Sequence, residues 1–316
     1  MKFDPKERLW EQKYRPTTLA DCVLAPSMRE IFKGMIDNND MSNLLLSSTS
    51  PGTGKTTVAR ALLHDLGYDV LFLNASSDRG INMVKFELPK YCSSVSFSGN
   101  PKAVILDEAD SLTKDAQKAL RALIEQYSKN VRFIMTCNYA SKIIQPIVSR
   151  LHHIEFVHNK GDKLDVMKQM IIRMSNVCKS EQIPVSSPAV LKELVLRNYP
   201  DNRKIMVTLQ NYARTGKIDE GILTAVTAND DMEPMIDALK NKDFKSIREM
   251  IPNYAGDAAG FMGSLYKAGF ARCDKSTMST FIELIGELNR NLVTCIDTEI
   301  ELTYTLTQMM LSVKWR

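Results

Sequence analysis

No apolar run in this sequence approaches the ~18 residues that would span a bilayer. The opening Met1-Lys2-Phe3-Asp4-Pro5-Lys6 is no secretory leader. A membrane partner is therefore not expected, and a cytoplasmic setting is. Cysteine is sparse: Cys22, Cys92, Cys137, Cys178, Cys273 and Cys295 are scattered without a C-x-x-C pair. That spacing argues against a zinc module and, in a reducing compartment, against a disulfide framework. His152 and His153 lack partners at metal spacing and read as ordinary residues at a strand edge. Charge of one sign is also lacking. The net balance of +4 permits an anionic partner without requiring one, so any nucleic-acid surface has to be local.

What is present describes a globular chain. Apolar residues make up 44% and charged residues 25% of the sequence, and 316 residues exceed one ordinary core. Two or three domains are the expectation.

The stretch that organises the rest is Ser47-Ser48-Thr49-Ser50-Pro51-Gly52-Thr53-Gly54-Lys55-Thr56-Thr57, between the apolar runs Leu44–Leu46 and Val58–Leu63. Strand, Gly-rich turn and helix in that order form the context of a phosphate-binding loop. Gly52, Thr53 and Gly54 let backbone N–H groups face a phosphate chain, and the helix start adds its unpaired donors. Lys55 would reach the outer phosphates, and Thr56, followed by Thr57, would ligate Mg²⁺. The full pattern calls for Gly at position 49, where Thr49 stands.

A second apolar run, Ala103–Leu106, ends in Asp107-Glu108-Ala109-Asp110. At the end of a buried parallel strand, Asp107 could hold Mg²⁺ while Glu108 orients and deprotonates water. Val70–Leu73 and Val131–Asn138 read as further strands, the latter delivering the Asn138 amide. Ile154–Val157 is expected as a last, buried strand. Ser111–Glu125 has helical spacing, with Leu120, Leu123 and Ile124 toward the core. Residues 164–228 read as wholly helical apart from a break at Pro184 to Pro188, and Asp230–Arg316 as four or five helices, including Met278–Leu288 and Leu292–Val313.

Several segments resemble one family. Trp10-Glu11-Gln12-Lys13-Tyr14-Arg15-Pro16 matches W-x-x-K-Y-R-P, and Asn74–Ile81 resembles N-A-S-D-E-R-G-I. Ser149-Arg150-Leu151 resembles S-R-C, and Pro200-Asp201-Asn202-Arg203 resembles the lid motif G-D-x-R. Together these are similar to the clamp-loader ATPases, a replication-factor-C-like branch of the AAA+ family, and most like those of T-even-type bacteriophages. The resemblance implies an α/β AAA+ P-loop nucleotide-binding domain with a parallel sheet (1–158), a helical lid (159–228) and a helical collar (229–316).

By the same resemblance, ATP and Mg²⁺ are bound, with Glu11, Gln12, Lys13, Tyr14 and Val23 around the base. Asn138 stands at the sensor-1 position and Arg203 at sensor 2. Arg150 is then an arginine finger acting on a neighbouring subunit's ATP. Arg79, Asn82, Lys85, Ser111, Thr113 and Lys114 become DNA-contact residues, and Val95 and Phe97 clamp-contact residues. The implied partners are a sliding clamp, primer–template DNA and a hetero-oligomeric ring of four copies plus one small subunit, in the host cytosol if viral. Another AAA+ DNA motor, such as a branch-migration helicase, and a non-hydrolysing scaffold subunit are the alternatives.

Overall fold

The computed structural model describes residues 8–77, 82–96, 99–157, 160–222, 232–255, 258–292 and 294–316. Expectations for Arg79 and Phe97 lie outside these residues. The chain forms two compact units, Met1–Ile222 and Leu223–Arg316.

The first unit is built on five parallel strands: β1 (Leu44–Ser47), β2 (Asp69–Asn74), β3 (Lys102–Asp107), β4 (Val131–Cys137) and β5 (His152–Glu155), in the order β2-β3-β4-β1-β5. The three inner strands are apolar at nearly every position because both sheet faces are covered. Leu45, Val104, Leu106, Phe133 and Met135 join a core with Leu120 and Ile124 of one helix, and Leu123 packs at its margin. Alternate residues Leu44, Leu46, Ala103, Ile105 and Ile134 are equally buried, as the two-residue period of a strand requires.

The longer helices of this unit are α1 (Pro26–Asp37), α2 (Lys55–Asp65), α3 (Leu88–Ser93), α4 (Lys114–Tyr127), α5 (Lys160–Ser180), α6 (Pro188–Asn198) and α7 (Asn202–Ala213), and a short turn of helix, Gln145–Val148, precedes Arg150. A single helical turn, Trp10–Lys13, precedes them.

Two expectations change here. The last strand begins two residues earlier than expected and is not buried: it pairs only with β1, and Ile154 is its one buried position. Phe156, buried against Phe32, follows the strand rather than belonging to it. His152 and His153 therefore lie within the edge strand, where His153 Nε2 sits 2.7 Å from Ser47 Oγ. The segment after residue 164 is broken around Pro184 to Pro188 as expected, and again over residues 214–220. Val185 and Ile218 form an isolated parallel bridge, and Gly216 takes a left-handed turn at φ +87° ahead of it.

The second unit holds α8 (Glu233–Lys240), α9 (Phe244–Met250), α10 (Ala258–Arg272), α11 (Met278–Asn291) and α12 (Thr298–Ser312), with a short turn at Pro252–Ala255. The expected helix over 292–313 starts six residues later. Asp297 stops the chain from continuing as one helix, because its carboxylate caps the next by accepting from the Glu299 and Ile300 amides. Phe281, Leu302, Leu306 and Met309 centre the core. Gly269 is required there, since a Cβ would stand 2.5 Å from the Phe281 ring.

Candidate active site

The phosphate loop leaves the carboxyl end of β1, where the order of strands reverses, the usual place for a ligand in an open parallel sheet. Gly52 (φ +67°) and Gly54 (φ +94°) are both left-handed, and Gly54 is the N-cap of α2. Thr49 is not among the described residues with positive φ, so the missing glycine is not needed for conformation. The Ser48 hydroxyl shapes this bend instead, accepting from the Ser50 amide and donating to the Ser50 carbonyl.

Gly52 has a second constraint. A Cβ there would lie 1.7 Å from Asp201 Oδ1, and the Asn202 amide donates to the Gly52 carbonyl at 3.0 Å. The start of α7 thus rests directly on the phosphate loop. Gly52→Ala should cost about 2–5 kcal/mol from left-handed strain and overpacking, and should abolish nucleotide binding. Thermal unfolding and nucleotide titration measure the two effects.

The polar groups converge beside the loop. Thr56 Oγ1 donates to Asp107 Oδ1 at 2.6 Å, and Thr136 Oγ1 donates to the same oxygen. Lys55 Nζ donates to Asn138 Oδ1 at 3.0 Å and lies 3.5 Å from the Ser50 carbonyl. Burial pushes the Lys55 pKa down, while Asp107 and Asp110 act against it. Glu108 turns away from the end of β3 in the left-handed region (φ 55°), its amide donating to Thr136 Oγ1. Asn39, Gln182 and Lys242 share this conformation in ordinary loops, so at Glu108 it serves to turn the chain off the strand end. Asp110 fixes the facing loop by accepting from the Asn138 and Tyr139 amides.

The cleft, of about 270 Å³, runs from these groups to the N-terminal arm. Glu11, Gln12, Tyr14 and Val23 line it, together with Arg203 from the start of α7. Arg203 is largely exposed and approaches Glu11 at 3.6 Å. Lys13 is not among the lining residues; its ammonium is bound to Glu181 of the lid at 2.6 Å.

Arg15, which sequence reasoning passed over, does line the cleft and donates to Thr57 Oγ1 at 3.1 Å. Burial lowers its pKa, and repulsion from Arg60 and Arg203 adds to the effect. A polyphosphate chain is the kind of ligand that relieves such crowding of cations. Buried Oγ1 of Thr53 and Oδ1 of Asn202, both in cleft-lining residues, have no protein partner.

A strand-end acid pair, a phosphate loop and a lid cation in one cleft constitute a nucleotide-hydrolysis site, and relatives narrow the family. Residues 45–159 match the ATPase family associated with various cellular activities (AAA). Residues 162–224 match the lid domain of the sliding-clamp-loader large subunit. The chain is 38% identical over 315 residues to the sliding-clamp-loader large subunit of Enterobacteria phage T4, covering 98% of each. It belongs to the sliding-clamp-loader large subunit family.

The same protein of Escherichia phage RB69 is 37% identical, and the replication factor C small subunit of Thermofilum pendens is 34% identical over 98% of each chain. Among solved structures, the RuvB Holliday junction branch migration motor of Thermotoga maritima superposes with a TM-score of 0.58 over 81% of this chain and 92% of that one. At 16% identity this likeness concerns the fold alone. The chain is accordingly an AAA+ ATPase subunit of a clamp loader, and it binds and hydrolyses ATP.

The other described residues of the expected sites do not line the cleft. Arg150 does not line its own chain's cleft. Its guanidinium ion-pairs with Glu125 at the end of α4 and donates to the Pro146 carbonyl. Thr113 caps α4, accepting from the Ala116 amide, with Lys114 exposed beside it and Ser111 half-buried. Asn82 and Lys85 are exposed on the turn before α3.

Val95 is 87% exposed just beyond α3, and Phe86 is exposed on the preceding turn. The Val95 segment is braced by Lys102, a buried lysine that has no carboxylate partner among the described residues. Its ammonium donates to the Tyr91 and Ser94 carbonyls and to Ser94 Oγ, and lies over the Tyr91 ring. Sequence reasoning also missed Gln117, almost wholly buried on α4. Its amide donates to the Leu112 and Lys142 carbonyls and accepts from the Ile144 amide, joining α4 to the stretch that leads to Arg150.

Proposed function

We propose that this subunit works in a hetero-oligomeric ring of four copies and one different small subunit, with ATP bound where neighbours meet. Residues 1–158 carry the nucleotide, 159–228 act as the lid and 229–316 as the collar that holds the ring together. The carrying observation is a division of labour in one chain. Lys55, Thr56, Asp107, Glu108 and Asn138 converge on a cleft, whereas Arg150 stands at the surface outside it.

The Asp107 carboxylate and Thr56 hydroxyl, joined at 2.6 Å, are hard oxygen donors of the kind Mg²⁺ takes alongside phosphate oxygens and water. A divalent ion held there would offset charge on the outer phosphates. Lys55 and the loop amides bind the triphosphate, and Asn138 orients the lytic water. Glu108 accepts that water's proton. Arg150 of one subunit meets transition-state charge at the next, and Arg203 ties lid angle to the presence of the outer phosphate.

ATP binding would then set the ring in the form that opens a sliding clamp, engaged through Val95 and Phe97. Primer–template DNA is gripped through its phosphates by Arg79, Asn82, Lys85, Ser111, Thr113 and Lys114. Hydrolysis releases the closed clamp on DNA, in the cytoplasm of the host cell if the chain is viral.

The test is the ATPase rate of the assembled complex with and without primed DNA and clamp, alongside its native mass. Stimulation by both together is expected, with a mass fitting five subunits. A rate unmoved by DNA and clamp would reject the reading. Phosphate contacts further predict that DNA affinity falls steeply with salt and varies little with sequence. Fluorescence titrations between 50 and 200 mM salt, a range that costs about 10³-fold or more for six phosphate contacts, measure it.

A further inference from the structure

The arm that lines the base end of the cleft is secured chiefly by the lid. Arg173 of α5 donates through Nη2 to the Tyr14 carbonyl and through Nη1 to the Asp21 carbonyl, the latter at 3.0 Å. Gln169, one turn earlier, accepts from the Leu24 amide at 3.2 Å and donates to the Leu24 carbonyl at 2.9 Å. That two-way pairing treats Leu24 as a neighbouring strand would.

Glu181, at the end of the same helix, accepts from the Tyr14 hydroxyl and the Lys13 ammonium. On α7, Gln210 accepts from the Trp10 amide and donates to the Arg8 carbonyl. Away from the lid, the arm is held by Arg15 on Thr57, by the Leu19 amide on Asp65 and by Arg29 of α1, which donates to the Leu19 and Cys22 carbonyls and to Gln169 Oε1.

The placement of these bonds is specific. Val23, a cleft-lining residue, lies between Asp21, gripped by Arg173, and Leu24, gripped by Gln169. Tyr14, on the other side of the arm, is held at its carbonyl by Arg173 and at its hydroxyl by Glu181. One guanidinium therefore spans the two limbs of the arm. Its planar fork holds two donors at a fixed separation and reach, a geometry that the compact ammonium of a lysine does not reproduce at these two carbonyls. Arg173 is also half-buried and lines the cleft edge with both terminal guanidinium nitrogens engaged by the arm, so its loss leaves those carbonyls without their donor.

We propose that Arg173 and Gln169 are the positioning residues of base recognition: from the lid, they set the width of the slot in which Tyr14 and Val23 receive the base. Selectivity for the base is then a property of the lid rather than of the phosphate loop. The inference rests on the reading that the arm binds the base.

The experiment compares ATP and GTP in the assembled complex, by binding titration and by steady-state hydrolysis, for wild type, Arg173→Gln, Arg173→Lys and Gln169→Leu. Loss of the Arg173 fork is expected to raise the KM for ATP about 10-fold or more. The KM for GTP should rise far less, so the preference for ATP contracts, while kcat at saturation stays within a few-fold. Arg173→Lys should recover little of the preference. Gln169→Leu, which removes no charge, should shift the ratio in the same direction.

A lower melting temperature or kcat with an unchanged ATP:GTP ratio in both Arg173→Gln and Gln169→Leu would overturn the positioning role and leave the base-side reading intact. A wild-type complex that does not distinguish ATP from GTP would instead remove the base-side reading itself.

Discussion

Replacing Arg150 with alanine should lower ATP turnover by the assembled ring about 10³–10⁵-fold, while ATP binding stays within a few-fold. The size follows from what a guanidinium supplied in trans contributes to phosphoryl transfer, and the retained binding from the absence of Arg150 among the residues lining its own cleft. The free subunit keeps the side chain on Glu125, which also approaches Arg121 at 3.7 Å. Both partners of the Arg150–Glu125 pair are substantially exposed, and exposed pairs are worth ~0–1 kcal/mol. In the proposed trans role, Arg150 would therefore leave Glu125 for a neighbour's phosphate at little cost. Single-turnover hydrolysis with primed DNA and clamp, next to an ATP titration, gives both numbers. Normal hydrolysis by Arg150→Ala would end the trans assignment.

The second large effect is expected at Glu108. Glu108→Gln keeps the shape of the side chain and removes its ability to accept a proton, so turnover should fall about 10²–10⁴-fold. Binding should survive, because the groups that would meet the phosphates and the metal ion are Lys55, Thr56 and Asp107. The left-handed backbone at Glu108 is unaffected by the substitution, and the amide bond to Thr136 remains. A complex that binds ATP, clamp and DNA but releases the clamp slowly is the anticipated phenotype. Turnover close to wild type would assign the proton transfer elsewhere.

The parts of this site that could be read from the sequence are those whose chemistry is local. A phosphate loop announces itself because its glycines, lysine and hydroxyls are contiguous and flanked by a strand and a helix. Asp107 and Glu108 are legible because they terminate an unbroken apolar run. What could not be read depends on approach between distant segments. Asp201 matters because it lies on Gly52, and Arg173 because it spans Tyr14 and Asp21; neither contact leaves a trace in spacing.

Lys13 shows the converse, since a residue adjacent to the cleft in sequence is drawn away by Glu181. Burial acts to raise the Glu181 pKa, but hydrogen bonds from Lys13 and Tyr14 outweigh it and the carboxyl stays below its ordinary value. The helix boundary at Asp297 was legible but obscured. Apolar spacing continues across residues 292–297, and only the capping carboxylate marks the break.

Lys102 gives β3 an unusual pair of ends. At one, a buried ammonium clasps the segment that presents Val95; at the other stand Asp107 and Glu108. Between them the strand is buried and paired on both sides, to β2 and to β4. Such a strand, about 16 Å long, neither slides nor bends without breaking two ladders at once. A partner docking against Val95, as proposed, would thus be joined to Asp107 and Glu108 by a stiff strut. In the proposed ring, docking would then register as displacement of the whole sheet relative to its neighbours, at the subunit boundaries.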